Sequence, residues 1–351
     1  MILIRPNGIT FDDVLLVPRK SSVESRNDID LSAHLTPNII LKTPIVSSNM
    51  DTVTESTMAK EMARLGGIGI IHRFLDIEHE ANEVALVKKE KLLVGAAIGI
   101  KEGYLERTAA LIKAGADVIV IDIAHGHSSF LIKVLQTLRE KYPKFEFIAG
   151  NVATAEATEE LIANGASAIK VGIGPGALCS TRIIAGAGVP QVTAIMDCAS
   201  VALKHHIPLI ADGGIRYSGD IVKALAAGAS TVMIGSMIAG CEESPALVVE
   251  KDNQKFKITR GMASLAANRD RKEKDGKVRM DLRAYAAEGV EALVPYRGAV
   301  KEVIEKLAGG TKSGFSYSGS TTLEELWKKA EFVQISNSAL IESHPHDVIK
   351  F

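Results

Sequence analysis

The sequence predicts an α/β fold: a single (β/α)8 TIM barrel over residues 1–351, with a mobile flap after the eighth strand and a C-terminal tail. Three observations carry this expectation. Eight short β-branched runs recur along the chain, most of them roughly 22 to 28 residues apart, the spacing of repeated βα units. The runs are apolar throughout rather than alternating, as strands covered on both faces of a parallel sheet are. The residues able to do chemistry fall at the C-terminal ends of the runs, where barrel sites form. A doubly wound open sheet is the runner-up, weakened because no GxGxxG opens the first βα turn.

The candidate strands are Pro44–Ser48, Gly67–Ile71, Leu92–Ala97, Val118–Ile123, Glu146–Ala149, Ala168–Gly172, Ile207–Ala211 and Thr231–Gly235. Amphipathic stretches such as Glu102–Ala114, Ser128–Lys141, Ala155–Asn164 and Ser218–Ala227 lie between them, and Asn164-Gly165 and Ala227-Gly228 supply helix stops. Asn49-Met50-Asp51 closes the first strand and Asp122 the fourth, with His125 and His127 behind it. Gly150-Asn151 closes the fifth strand, Asp212-Gly213-Gly214 the seventh and Gly235-Ser236 the eighth. Ala263–Glu291 breaks the pattern. Its mixed-charge run at 268–277 reads as a solvated, mobile loop, and its place after the eighth strand makes it a candidate active-site flap. The tail from Gly310 holds the only tryptophan, Trp327, and ends in Glu342-Ser343-His344-Pro345-His346-Asp347, whose histidine spacing is not that of a standard metal site.

Composition sets bounds. The chain is 46% hydrophobic and 24% charged, enough apolar material for a large core. A net charge of −1 gives no reason to expect nucleic acid or an acidic membrane as partner. Cys179, Cys198 and Cys241 are widely spaced with no CxxC, which suggests neither a disulfide framework nor zinc. With no leader-like start and no membrane-length apolar run, a reducing, cytoplasmic setting is expected.

The most informative stretch follows the sixth strand: Gly172-Ile173-Gly174-Pro175-Gly176-Ala177-Leu178-Cys179-Ser180-Thr181-Arg182. Its glycines let the backbone approach a ligand and present N–H groups to an anion. A thiol directly after such a cradle, with hydroxyls and a cation beside it, suggests covalent chemistry on a phosphorylated small molecule.

These segments bring the chain into resemblance with a known family. Thr10-Phe11-Asp12-Asp13-Val14-Leu15-Leu16, Met50-Asp51-Thr52-Val53-Thr54-Glu55, Gly150-Asn151-Val152-Ala153-Thr154 and the cysteine loop are similar to segments of the IMP dehydrogenase/GMP reductase family. So are Ile210–Asp220 and Val294-Pro295-Tyr296-Arg297-Gly298. The resemblance implies a (β/α)8 barrel assembled as a homotetramer and a purine nucleotide monophosphate substrate, with Cys179 attacking C2 of the base. It implies that Thr181 and Glu288 handle protons near the reacting carbon and that Asp212 binds ribose hydroxyls. Gly213, Gly214, Gly235 and Ser236 would hold the phosphate, and Met262 would lie close to the base. Asp122, with Asn151, would serve the nicotinamide cofactor.

Within the family, dehydrogenases pass hydride from C2 of IMP to NAD, and reductases use NADPH to convert GMP to IMP with loss of ammonia. The Glu342–His344 tail resembles the dehydrogenase element that completes a K+ site across a subunit boundary. There the carbonyls of Gly174, Gly176 and Cys179 would meet those of Glu342, Ser343 and His344 from a neighbour. Asn49 and Ile71-His72-Arg73-Phe74 resemble reductases. The tandem CBS-type regulatory domain common in dehydrogenases is not expected, since Asp76–Lys91 reads as one helical stretch. The flap lacks the dehydrogenase Arg-Tyr pair; Arg283-Ala284-Tyr285 lies too close to Glu288, and Arg269, Arg271, Arg279 and Arg283 are the candidates to replace it. Ala177 replaces a phosphate-binding serine, and Ala263 a glycine near the base. The expected activity is NAD-dependent IMP oxidation; the alternatives are NADPH-dependent GMP reduction and nucleotide binding without turnover.

Overall fold

The computed structural model describes residues 8–274 (backbone alone at 271–274), 286–345 and 348. Eight parallel strands close a barrel: β1 (Ile45–Ser47), β2 (Ile68–Ile71), β3 (Val94–Ile98), β4 (Val118–Asp122), β5 (Phe147–Val152), β6 (Ala168–Val171), β7 (Leu209–Asp212) and β8 (Thr231–Ile234). Neighbours follow chain order, and β8 returns to β1 through Val232↔Ile45, Met233↔Val46 and Ile234↔Ser47. Each strand sits where the apolar runs place it, with β5 continuing to Val152 so that Asn151 lies within it.

Closure explains the uniform apolarity. Val118 and Val120 of β4 point into the barrel, where Ile68, Ile70, Ile148 and Ile210 fill it. Ile119 and Ile121 alternate outward, into the cluster that contains Met58, Leu111 and Leu131 of the surrounding helices. Those helices are α1 (Ser56–Arg64), α2 (Ile77–Lys88), α3 (Tyr104–Ala114), α4 (Ser129–Lys141), α5 (Ala155–Ala163), α6 (Gln191–Ala202), α7 (Ser218–Ala226) and α8 (Val300–Tyr317). The segment after β2 runs directly into α2, capped by Asp76, whose Oδ1 accepts from the His79 amide at 2.9 Å.

The amino-terminal end of the barrel is plugged by a hairpin, Ala33–Thr36 with Ile39–Leu41, which the hydrophobic pattern did not reveal. Leu35 and Leu41 join the interior cluster. Glu146, one residue before β5, accepts from the Thr36 hydroxyl, from the Asn38 amide at 3.2 Å and from Asn38 Nδ2 at 2.9 Å. The chain ends are fastened too. Val14–Leu16 pairs antiparallel with Phe332–Gln334, and Trp327 Nε1 donates to the Leu225 carbonyl of α7 at 2.9 Å.

Beyond β8 comes a meander absent from the sequence expectation: β9 (Val248–Lys251), β10 (Gln254–Arg260) and β11 (Glu291–Pro295). Asp252 and Asn253 join β9 to β10 with positive φ of 52° and 58°, the conformation of a type I′ hairpin turn. The flap is therefore an excursion between two paired strands, closed at its base by Arg260↔Glu291. The expected irregular loop is corrected in its first half, where Leu265–Lys274 is helical. Ser264 starts that helix by accepting from the Ala267 amide through its hydroxyl, and Ala267 is fully buried beneath it. Arg279, Arg283 and Tyr285, the side chain of Arg271, and His346 and Asp347 lie outside the described residues. Among the described residues no helix is long and apolar enough to cross a membrane.

Replacing Glu146 by alanine removes the acceptor for the buried Thr36 hydroxyl and unpins the plug, so stability should fall by about 2 kcal/mol. Urea denaturation checks this; an unchanged midpoint contradicts the assigned role of the hairpin.

Candidate active site

The eight strand ends open into a cavity of about 630 Å³ at the carboxyl end of the barrel, lined by the cysteine loop, the flap base and the β7 and β8 loops. Its floor is polar. Lys170 of β6, only 2% exposed, reaches Asp122 Oδ1 at 2.7 Å and Asp212 Oδ2 at 2.6 Å, and also bonds Asn151 Oδ1. Asn49 Nδ2 donates to Asp122 Oδ2 at 3.0 Å; Asn151 Nδ2 donates to Asp212 Oδ2 at 2.9 Å. Burial alone would drive the lysine toward its neutral form, but the two carboxylates outweigh it and raise its pKa. Burial would likewise raise Asp122, yet the Lys170 ammonium, helped by Arg73 and the Asn49 amide, holds it below the usual carboxylate range. Both groups stay ionised at neutral pH. The sequence reading took Ala168-Ile169-Lys170-Val171 as an apolar run; the signal for Lys170 was a lone lysine at an inward-facing barrel position, which must find counter-charges.

The cysteine loop crosses the cavity mouth and is held by backbone pairing to the flap base. Cys179 and Gly289 form an antiparallel bridge, Ser180 N donates to Glu288 O at 3.0 Å and Val290 N donates to Leu178 O at 3.0 Å. This pairing brings residues 107 positions apart together: Thr181 Oγ1 donates to Glu288 Oε2 at 2.8 Å. The Cys179 thiol donates to Thr181 Oγ1 at 3.1 Å, so a hydrogen-bonded path runs from the sulfur through a hydroxyl to a carboxylate. Gly172 begins the loop at φ 149°, and a β-carbon there would sit 2.1 Å from the Asp212 carbonyl, so only glycine lets β6 and β7 end side by side. Arg182 does not face the cavity as a phosphate cation would. Its guanidinium donates to the Val189 carbonyl at 2.6 Å and the Ile173 carbonyl at 3.3 Å, which pins the loop from below.

Gly213, Gly214, Gly235 and Ser236 line the same cavity, and Phe11 packs within van der Waals reach of Gly214. Arg216 and Asp12 form an ion pair that draws the Thr10–Asp13 segment over this end. Ala177 is exposed on the loop and offers no side-chain donor. Ser48, not singled out from sequence, is 6% exposed, and its hydroxyl has no hydrogen-bond partner among the described residues; it lines the cavity beside Gly235. Met262 also lines the cavity, and its sulfur accepts from the Asp51 amide at 3.4 Å. Arg260, a second residue missed from sequence, clamps the flap helix: it bonds Asp51 Oδ2 and Asp270 Oδ2, each at 2.6 Å.

Other expected site residues lie apart. Glu342, Ser343 and His344 close a short exposed helix, Asn337–Glu342, that packs near the amino-terminal segment. The Gly176 carbonyl, one of the expected cation ligands, accepts from the Cys179 amide at 3.0 Å. A second cavity, of about 370 Å³, adjoins the first and shares Arg73, Phe74 and Ile123 with it.

The fold and site thus define a barrel whose carboxyl end presents a cysteine on a glycine-rich loop above a charged, carboxylate-bearing floor. The sequence profile of the IMP dehydrogenase / GMP reductase domain matches residues 8–346, and the chain belongs to that oxidoreductase family. It is 48% identical to an inosine-5′-monophosphate dehydrogenase of Cryptosporidium parvum, over 97% of this chain and 95% of the relative. It is 37% identical to a GMP reductase of Leishmania major, over 98% of each. Among solved structures it is similar to a cysteine-to-alanine variant of the GMP reductase of Trypanosoma brucei, in complex with guanosine 5′-monophosphate. That match has a TM-score of 0.93 and 34% identity, over 98% of this chain and 99% of the other.

The three cysteines differ sharply in reactivity. Cys179 is exposed, whereas burial pushes the Cys198 and Cys241 thiols up to about 12 and keeps them protonated. Iodoacetamide at neutral pH should therefore carboxamidomethylate Cys179 alone in the native protein. Peptide mass spectrometry reads this out, and native labelling of Cys198 or Cys241 contradicts it.

Proposed function

We propose that this chain oxidises IMP to XMP with NAD through a covalent bond between Cys179 and C2 of the base. The observation that carries the reading is the path from Cys179 sulfur through Thr181 to Glu288, placed at the mouth of a cavity with carboxylates on its floor. Glu288 draws the thiol proton through the Thr181 hydroxyl, which leaves a thiolate. The thiolate adds to C2, and the C2–S bond remains after hydride has left C2. The dinucleotide, when bound, supplies the hydride acceptor. Water then adds to C2 and the sulfur leaves, with Glu288 and Thr181 again taking and returning protons.

The remaining residues bind. Asp212 Oδ2 is fixed by Lys170 and Asn151, while Oδ1, with no hydrogen bond among the described residues, faces the ribose hydroxyls as an acceptor. Gly213, Gly214 and Gly235 bring the backbone to the phosphate, and Ser236 and the unpaired Ser48 hydroxyl donate to the nucleotide in place of the donor that Ala177 lacks. Asp122 serves the nicotinamide ribose, and the adjoining second cavity receives the distal half of the dinucleotide. Gly174, Gly176 and Cys179, with Glu342, Ser343 and His344 of a neighbouring copy in a homotetramer, would hold K+, which neutralises the carbonyl dipoles of the cysteine loop.

A second reading, NADPH-dependent reduction of GMP to IMP, is favoured by Asn49, whose bond to Asp122 stands at a position where the sequence resembles reductases. There thiolate addition expels the 2-amino group as ammonia, with the proton it needs delivered by Glu288 through Thr181, and hydride supplied by NADPH would then replace the sulfur at C2.

Absorbance at the reduced-nicotinamide band separates the two. IMP with NAD should raise it, and Glu288→Gln should slow that rise by roughly 10²-fold. A fall with GMP and NADPH, without a rise in the first assay, would establish the reductase reading. Replacing sodium by potassium should raise the rate; equal rates in both salts contradict the K+ site.

A further inference from the structure

Lys170 is the only described charged side chain in the β6 run, and both of its ion pairs cross to other strands. Asp122 belongs to β4 and Asp212 to β7. The carboxylate oxygens it holds are at most about 5 Å apart, close enough to repel strongly in a buried site without it. The other groups facing this cluster are Asn151 on β5, Asn49 after β1, and Arg73 after β2, which acts on Asp122 through its charge. Among the described residues no other carboxylate bonds Lys170.

We propose that Lys170 is a positioning residue that acts on both ligands at once: its one shared ammonium holds in place the carboxylate serving the nucleotide ribose and the carboxylate serving the nicotinamide ribose. The inference rests on the roles given to Asp212 and Asp122 under the proposed function. Lys170 needs no contact with either ligand. Each of its carboxylate partners keeps acceptor capacity toward the cavity only because the lysine cancels the repulsion between them. Remove the ammonium, and the two carboxylates face each other without a shared cation; each loses its anchor, and the site loses fixed acceptors for both ligands.

The test uses the full-length Cys179→Ser protein, which binds without turnover, and titrates IMP and NAD separately by calorimetry. Adding Lys170→Met should weaken both ligands by about tenfold or more. Measured as a ratio to the parent at each pH, the loss of IMP affinity should be largest at about pH 6 and shrink as pH rises, because two carboxylates without the ammonium compete for a proton at low pH. If the buried methionine prevents folding, Lys170→Met with Asp122→Asn keeps the charge of the cluster unchanged. In that variant IMP binding should return to near the parent value, since Asp212 no longer faces a second carboxylate, while NAD binding stays weak. Weakening of only one ligand, a ratio of variant to parent IMP affinity that does not change with pH, or no recovery of IMP binding in the double variant would each overturn the proposal. A parent protein that binds no IMP would instead overturn the functional reading, and the inference with it.

Discussion

An ammonium group in the middle of a barrel strand is costly to bury, and the energy must come back from charges placed around it. Lys170 recovers it from Asp122 and Asp212, which the closed sheet delivers from either side at the carboxyl ends of β4 and β7. β7 lies beside β6 and β4 lies two strands away on the other side, so one inward-pointing lysine reaches both carboxylates. The cluster also sets the site, because it decides which carboxylate oxygens are occupied and which face the cavity. Asn49 and Asn151 fill further positions on the same two carboxylates, so the floor is a network of fixed acceptors rather than a pair of loose acids.

Above this floor the chemistry depends on strand pairing of a different kind. The cysteine loop has no helix or sheet of its own beyond a short turn; it borrows the edge of the meander through Cys179 and Gly289. That borrowed register is what sets Thr181 against Glu288 and carries the thiol into line with them. The flap base is therefore part of the active-site scaffold, while the Arg260 clamp to Asp51 and Asp270 ties the flap helix to the segment after β1.

Much of this was legible in the sequence for a simple reason. Buried parallel strands are short, apolar and evenly spaced, so all eight could be placed, and the polar residues that close them mark the functional end of the barrel. Cys179, Asp122, Asn151, Asp212 and Glu288 were picked out by position or by resemblance, and all line the cavity or form its floor. What escaped was whatever depends on partners distant in the chain. Lys170 looked like part of an apolar run because its counter-charges are on other strands. Ser48 looked unremarkable because an unpaired hydroxyl is visible only once its surroundings are known. The plug hairpin and the β9–β10 hairpin are short and half-polar, although the Asp252-Asn253 pair was a readable turn signal. The flap helix was hidden by its charge, since its stability comes from Ala267 burial and the Asp270 clamp rather than from an apolar stripe.

The account turns on one covalent bond, and rapid quenching with acid during turnover tests it directly. Protein quenched in the steady state with IMP and NAD should carry a purine nucleotide on the peptide that contains Cys179, detected by mass. The same adduct should appear with GMP and NADPH if the chain runs as a reductase, because both directions pass through a C2–S bond. Turnover with no adduct on Cys179, or an adduct on another residue, would contradict the central claim.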